Sequence, residues 1–142
     1  MKSVSKRKIL FVCTHNSGRS FMAQELLNQL YGDRYEAQSA DLRPGPISPL
    51  VHQVLAEHCI EAESYEAKAL FDVIRTDQIF AKVITICDEN LTRPPIFPGV
   101  TERMEWKFPD PLQAVGTPQQ KRAAARVVRD RIKAKIEKEF GN

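Results

Sequence analysis

The segment that decides the fold is Lys8–Ser20, KILFVCTHNSGRS. Its first part, Lys8–Cys13, is a short run of bulky apolar side chains, which is typical of a buried strand. A polar loop, Thr14–Arg19, follows, and from Ser20 onward apolar residues recur at i+4. The segment therefore predicts a strand, a loop and a helix in succession, the repeating unit of α/β proteins.

The rest of the chain continues this alternation. The predicted elements are a first helix ending at Gly32, a strand over Arg34–Ala40, a loop over Asp41–Ile47, a helix from Ser48 to about Cys59, a short helix beginning within Lys68–Asp72, strands over Val83–Cys87 and Arg103–Phe108, and a last helix from Thr117 to Phe140. Short, continuously apolar strands alternating with helices predict a parallel sheet that is covered on both faces.

Length and composition predict one ordinary domain spanning residues 1–142. Hydrophobic residues make up 42% and charged residues 27% of the chain, which excludes disorder, and no apolar run approaches the roughly 20 residues of a membrane span. The net charge is +3, and residues 121–139 hold eight basic and three acidic side chains. An apolar stripe at i+4 runs through this helix, so we expect the charges to be an ordinary outer surface and expect no nucleic-acid partner.

The three cysteines, Cys13, Cys59 and Cys87, predict a cytoplasmic protein with reduced thiols, because no secretory signal precedes them. They form no CxxC pair and have no histidine at ligand spacing, so we expect neither a metal nor another resident cofactor. Cys13 and Cys87 each end a predicted strand, where ligands bind in parallel sheets. Cys59 does not, and we expect it to be a small buried packing residue.

The loop that begins at Cys13 has the composition of an anion site. Backbone N–H groups between a strand and a helix start can converge on an oxyanion, and Arg19 can add a bidentate guanidinium. The same positive field would favour the thiolate of Cys13, which makes it a candidate nucleophile. Cys87 and Arg93 repeat this spacing, but two carboxylates follow Cys87 and Pro94-Pro95 prevent a helix start, so we interpret that match as coincidental.

The loop resembles the anion-binding loop of the low-molecular-weight protein tyrosine phosphatase superfamily, and more closely its arsenate reductase branch. The resemblance spans nearly the whole chain and rests on Val12–Ser20 with Met22-Ala23, Val83–Asp88, Phe97-Pro98-Gly99, Trp106, and Phe108-Pro109-Asp110-Pro111. It implies a three-layer α/β/α fold with a four-stranded parallel sheet.

The resemblance also implies the roles of individual residues. Cys13 would be the nucleophile, Arg19 the oxyanion binder and Asp110 the general acid. Ser20 would assist the thiolate and Asn16 would fix the loop. The oxyanion-binding set would be Thr14, His15, Asn16, Ser17, Gly18, Arg19 and Ser20. Taken by itself, Asp110-Pro111 is also an ordinary turn, and Asp88 is a competing acid because it follows the end of a strand.

Reduction and hydrolysis differ in their need for a second thiol. Cys87 matches the second cysteine of the reductase branch, which implies that it resolves the Cys13 adduct. The thioredoxin-coupled members carry a third cysteine where this chain has Pro94, so the reductant is left open between thioredoxin and a small thiol. Leu112 stands where the phosphatases have an aromatic residue, which favours a small oxyanion such as arsenate over phosphotyrosine.

Two alternatives stay open from the sequence. One is a phosphatase that hydrolyses phosphate monoesters through a phosphocysteine at Cys13. The other is a phosphocarrier or binding module in which Cys13 only carries the group. The presence of a credible general acid, Asp110, speaks against the second alternative.

Overall fold

A four-stranded sheet is the centre of the computed structural model, which describes residues 6–13, 18–41, 45–60, 66–67, 69–76, 79–87 and 102–141. In chain order the elements are β1 (Arg7–Cys13), α1 (Arg19–Tyr31), β2 (Tyr35–Asp41), β3 (Gly45–Pro46), α2 (Pro49–Ala56), β4 (Glu66–Ala67), α3 (Leu70–Ile74), β5 (Lys82–Cys87), β6 (Arg103–Lys107), a 3-10 turn (Pro111–Gln113) and α4 (Pro118–Phe140). These elements reproduce the predicted alternation of strands and helices.

The sheet has the strand order β2-β1-β5-β6, and every neighbouring pair in it is parallel. This confirms the predicted four-stranded parallel sheet. Parallel strands have all their carboxyl ends at one edge, so Cys13, Asp41 and Cys87, which end β1, β2 and β5, lie along the same edge. The sheet topology alone therefore brings the two candidate cysteines to the same edge of the sheet.

The side chains of β1 alternate between two separate hydrophobic cores, one on each face of the sheet. Ile9 and Phe11 are buried in the larger core, which also contains apolar residues of α1, α2 and α4. Leu10 and Val12 point to the opposite face and pack with apolar residues of α3 and β5. Because side chains alternate across a strand, an uninterrupted apolar strand must be covered on both faces. The three-layer α/β/α architecture is confirmed.

The last helix begins at a capping box and ends just before a glycine, two features that are typical of helix boundaries. The Thr117 hydroxyl accepts a hydrogen bond from the N–H of Gln120, and the Gln120 side chain accepts one from the N–H of Thr117. This capping box satisfies N–H groups that a helix start leaves without an intrahelical partner. Proline follows at the first helical position, and Gly141 comes directly after the last residue. The predicted boundaries of α4 are confirmed. None of the described helices is sufficiently long and apolar to span a membrane.

Several boundaries differ from the sequence predictions. Asp41, assigned to a loop, is the last residue of β2 and pairs with Cys13 of β1. The same predicted loop contains β3, which forms a separate antiparallel pair with β4. Two-residue strands carry no periodicity, and Pro46 argues against a strand, so the sequence has no signal for them. The first helix begins at Arg19, one residue earlier than predicted.

Arg129 corrects the prediction that the charges of α4 form only an outer surface. Its side chain is buried, and its Nη1 donates to the carbonyl of Val54 at 2.7 Å and to Glu57 Oε1 at 2.7 Å. Burial of a guanidinium is tolerated because its donors are hydrogen-bonded and its charge is paired. Through these hydrogen bonds, Arg129 connects α4 to the carboxyl end of α2.

We predict that Ile132→Ala destabilises the protein by about 2–5 kcal/mol, because the fully buried side chain would leave a cavity between α4 and the sheet. Urea denaturation followed by circular dichroism measures the change. Val127→Ala is the matched control on the same helix, since Val127 is 57% exposed, and it should change stability by less than about 0.5 kcal/mol. Equal effects of the two variants would contradict the assignment of the buried face.

Candidate active site

Cys13 lies at the carboxyl end of β1 with its sulfur enclosed by two polar side chains. Its Sγ donates a hydrogen bond to Asp41 Oδ2 at 3.1 Å and lies 2.9 Å from the Ser20 hydroxyl. Cys13 and Asp41 are each only 1% exposed. Their contact follows from the register of the sheet, in which Cys13 and Asp41 are direct partners on adjacent strands. Ser20 reaches the sulfur from the first turn of α1.

The described surroundings of Cys13 favour its protonated form. Burial, followed by the negative charge of Asp41, raises the pKa of the Cys13 thiol to about 11, against a smaller opposing effect of the Ser20 hydrogen bond. The sequence predicts that the N–H groups of the loop favour the thiolate, and because residues 14–17 lie outside the described residues, that effect stays a prediction. The larger cause of the raised pKa is burial, and the second is the carboxylate of Asp41, a residue that the sequence assigns to the loop Asp41–Ile47.

Gly18 shapes the end of the loop that leads into α1. Its φ of +85° is in the left-handed region, which side-chain-bearing residues rarely adopt. A Cβ at this position would lie 2.5 Å from Cγ2 of Val51 in α2. Glycine is therefore required here both by the backbone and by close packing. The other predicted loop residues, Thr14, His15, Asn16 and Ser17, lie outside the described residues, and their oxyanion-binding roles stay predictions.

Arg19 is fully buried at the start of α1. Its Nη1 donates to the carbonyl of Phe108 at 2.7 Å. This bond connects the residue that follows the Cys13 loop to the segment that carries Asp110, two residues beyond Phe108. Arg19 therefore fixes the acid-bearing segment against the cysteine site. Its predicted contact with an oxyanion stays a prediction.

Asp110 caps the 3-10 turn that follows β6. Its Oδ1 accepts a hydrogen bond from the N–H of Leu112 at 2.8 Å, and the side chain is half-buried. This confirms that Asp110-Pro111 forms a turn. Asp110 lies three residues beyond the end of β6. The carboxyl end of β6 is at the same edge of the sheet as Cys13. Its role as general acid stays a prediction, and the competing Asp88 lies outside the described residues.

Cys87 ends β5, the strand next to β1. Cys13 is the register partner of Ile86, the residue before Cys87. With strands about 4.8 Å apart and a rise of about 3.3 Å per residue, the Cα atoms of the two cysteines are about 6 Å apart. Because Ile86, not Cys87, is the β5 position on the same face of the sheet as Cys13, a disulfide between the two cysteines requires the end of β5 to move. The predicted juxtaposition of the two strand ends is confirmed at the level of the backbone, and the resolving role stays a prediction. Arg93 and Pro94, invoked in the sequence analysis, lie outside the described residues.

Cys59 is exposed, which corrects the prediction of a buried packing residue. It follows α2 in a left-handed conformation, with φ of +61°. Helices commonly end with a residue in this conformation, usually glycine, and Cys59 takes that place after α2. The exposed thiol serves below as a control position.

Asp41 is the residue that the sequence analysis missed. The available signal was its place directly after the predicted strand Arg34–Ala40, at a carboxyl end. What the sequence does not contain is the register that sets it opposite Cys13. Among the described residues, no group of three or more His, Cys, Asp or Glu side chains could hold a metal ion, and the absence of a cofactor stays a prediction.

A buried cysteine at the end of a central parallel strand, shortly before a helix that starts at Arg19, is an arrangement typical of α/β enzymes with a cysteine nucleophile. Residues 8–139 match the family described as low molecular weight phosphotyrosine protein phosphatase. The arsenate reductase of Bacillus licheniformis is 31% identical over 137 residues, covering 95% of this chain and 96% of the relative. That of Bacillus subtilis is 31% identical over 133 residues, covering 93% of each.

Solved structures give the same grouping. A thioredoxin-dependent arsenate reductase of Corynebacterium glutamicum superposes with a TM-score of 0.69 at 27% identity, covering 99% of this chain and 63% of the other. An arsenate reductase in an oxidized state has a TM-score of 0.75 at 22% identity, covering 93% of this chain and 95% of the other, which shows the shared fold. The chain belongs to the low-molecular-weight protein tyrosine phosphatase family, within its arsenate reductase branch.

We predict that Ser20→Ala slows the reaction of Cys13 with iodoacetamide, because the thiolate loses the hydroxyl that stabilises it. A hydrogen bond to a charged group is worth about 1.5–3 kcal/mol, so the rate at a fixed, mildly alkaline pH should fall about tenfold or more. Peptide mass spectrometry resolves the modification of Cys13 from that of the other thiols. Ser48→Ala is the control, since Ser48 caps α2 and its hydroxyl accepts from the N–H of Leu50. An unchanged rate in Ser20→Ala would contradict this role.

Proposed function

We propose that the protein reduces arsenate to arsenite in the cytoplasm, with Cys13 as the nucleophile. Arsenate binds at the loop 13–19, where Arg19 and the loop N–H groups neutralise its charge. The Cys13 thiol passes its proton to an arsenate oxygen, its sulfur attacks arsenic, and one arsenic–oxygen bond breaks. Asp110 gives its proton to the leaving oxygen, which departs as water. Support for this step comes from the burial of Cys13 at the strand end and from the similarity to arsenate reductases.

The second step requires another thiol, which we assign to Cys87. Its sulfur attacks the sulfur of Cys13, and the electron pair of the sulfur–arsenic bond stays on arsenic. Arsenic is thereby reduced from the +5 to the +3 state and leaves as arsenite, while the two cysteines become a disulfide. The observation that carries the proposal is the placement of Cys13 and Cys87 at the ends of adjacent parallel strands.

The disulfide must then be reduced by an external thiol, so the enzyme needs no resident cofactor. We infer that thioredoxin or a small thiol acts directly on the Cys13–Cys87 disulfide, because Pro94 occupies the place of a third redox cysteine. A solved relative of this branch is described as thioredoxin-dependent, which supports thioredoxin as the first reductant to test.

The surroundings of Asp110 favour a small inorganic oxyanion over phosphotyrosine. Leu112 is the apolar residue beside the acid, and it is 40% exposed. An aliphatic side chain offers no flat π-face on which an aromatic ring can stack. A compact tetrahedral anion needs no such surface.

We predict that Cys87→Ser abolishes arsenite release and preserves any hydrolysis of an aryl phosphate ester. Hydrolysis needs only Cys13, the acid and water, whereas reduction needs the second thiol. Paired assays on purified protein measure arsenite release with thioredoxin or glutathione and the hydrolysis of the ester. Cys59→Ser is the matched control, since it removes an exposed thiol and should leave arsenite release unchanged.

Two results would overturn the reductase proposal. One is fast ester turnover together with no arsenite under any reductant. The other is full arsenite release by Cys87→Ser. Activity that survives in Cys13→Ser would overturn the site assignment as a whole.

We predict that Asp110→Asn lowers turnover by about 10²–10⁴-fold while the Kd for inorganic phosphate stays within about threefold. The amide cannot donate a proton to the leaving oxygen, yet it still accepts the hydrogen bond from Leu112 that shapes the turn. Steady-state kinetics and a calorimetric titration with phosphate measure the two quantities. Asp88→Asn is the comparison variant, and if it shows the larger loss of turnover, the general acid is Asp88.

A further inference from the structure

The segment that carries Asp110 lies beyond the strand pairing that positions the two cysteines. β6 is an edge strand of the sheet, and its last register pair is Cys87 with Lys107. A general acid must lie within about 2.6–3.2 Å of the oxygen to which it gives its proton, and a misplacement of about 1 Å can lower the rate by about 10²-fold. Contacts other than the strand pairing must therefore set the position of Asp110.

Phe108, the first residue after β6, is held both by its backbone and by its ring. Its carbonyl accepts the hydrogen bond from Arg19 Nη1 at 2.7 Å. Its ring is buried and meets the ring of Trp106 edge to face, with the centroids 6.3 Å apart and the planes at 89°. This arrangement is favourable because the positive edge of one ring meets the negative face of the other. Phe108 is thus anchored two residues before the acid.

Helix α4 contacts the same segment on either side of the acid in the sequence. Before the acid, the guanidinium carbon of Arg131 lies 5.5 Å from the centroid of the Phe108 ring, within the range of a cation–π interaction. After the acid, Pro111 is buried, and the 3-10 turn that it begins packs against α4. Asp110 therefore lies between two anchored residues, and the helix contributes to holding both ends.

We propose that Phe108 is a positioning residue for Asp110, and that Arg131 of α4 supports it through the cation–π contact. The hydrogen bond from the N–H of Leu112 fixes the Asp110 carboxyl group within its own turn, so a shift of Phe108 would move the acid and the turn together. Phe108 acts through the acid and takes no part in the chemistry itself. This inference rests on the proposed function only in taking Asp110 as the general acid.

A double-mutant cycle with the acid tests this role in the full-length enzyme. Phe108→Leu removes the ring and keeps the backbone carbonyl that accepts from Arg19. In the wild-type background we expect kcat/KM to fall about tenfold or more, with the Kd for inorganic phosphate within about threefold, because the acid is displaced while the anion site remains. In the Asp110→Asn background the same substitution should change kcat/KM by less than about twofold, since the proton donor that Phe108 positions is absent.

Arg131→Met is the second variant, for the case that circular dichroism shows Phe108→Leu to be unfolded. Methionine keeps an apolar chain beside the ring and removes the charge, so we expect kcat/KM to fall about three- to fivefold, again only when Asp110 is present. Lys135→Met is the matched control. Lys135 lies one turn later on α4, and its Nζ is 6.0 Å from the ring centroid of Trp106, a residue that the strand pairing of β6 already fixes. The control should change kcat/KM by less than about twofold.

Additive losses would overturn the proposal, because a residue that lowers kcat/KM equally with and without the acid has a structural role only. An unchanged kcat/KM in the single variants would overturn it as well. The cycle can be measured on arsenite release or on the hydrolysis of p-nitrophenyl phosphate, so a failed reductase assay leaves it intact. If Asp110→Asn alone keeps full turnover, the general acid lies elsewhere, and the positioning role fails together with that assignment.

Discussion

The parallel pairing of β1 with β2 and β5 is the constraint on which the site depends. It brings the ends of three strands to one edge and sets Cys13 opposite Asp41 on one side and Ile86 on the other. A shift of register by one residue would turn every side chain of β1 to the opposite face and would break both cores. The same burial that fixes the fold therefore fixes the neighbours of the catalytic sulfur.

The buried environment of the sulfur also sets its chemistry. The backbone amides and helix starts found beside a strand end favour an anion, whereas Asp41 disfavours a second negative charge. Arg19 holds the segment that carries Asp110 through the Phe108 carbonyl, so the nucleophile and the assigned acid belong to one connected unit.

Much of this arrangement could be predicted from the sequence. The apolar run Lys8–Cys13 and the capping box at Thr117 depend on local patterns, and both predictions were confirmed. The missed features depend on long-range pairing. The contact of Asp41 with Cys13 needs the strand register, and the burial of Arg129 needs the packing of α4 on α2, neither of which a local pattern contains. The exposure of Cys59 follows from a helix end that came three residues earlier than expected.

The central claim is that two strand-end cysteines of one chain reduce arsenate. A single turnover of the fully reduced enzyme with excess arsenate, in the absence of any added reductant, tests it most directly. The account predicts one arsenite per enzyme, and mass spectrometry of the digested protein should recover the peptides of Cys13 and Cys87 joined by a disulfide. Arsenite without that disulfide, or a disulfide that contains Cys59 in its place, would contradict the account.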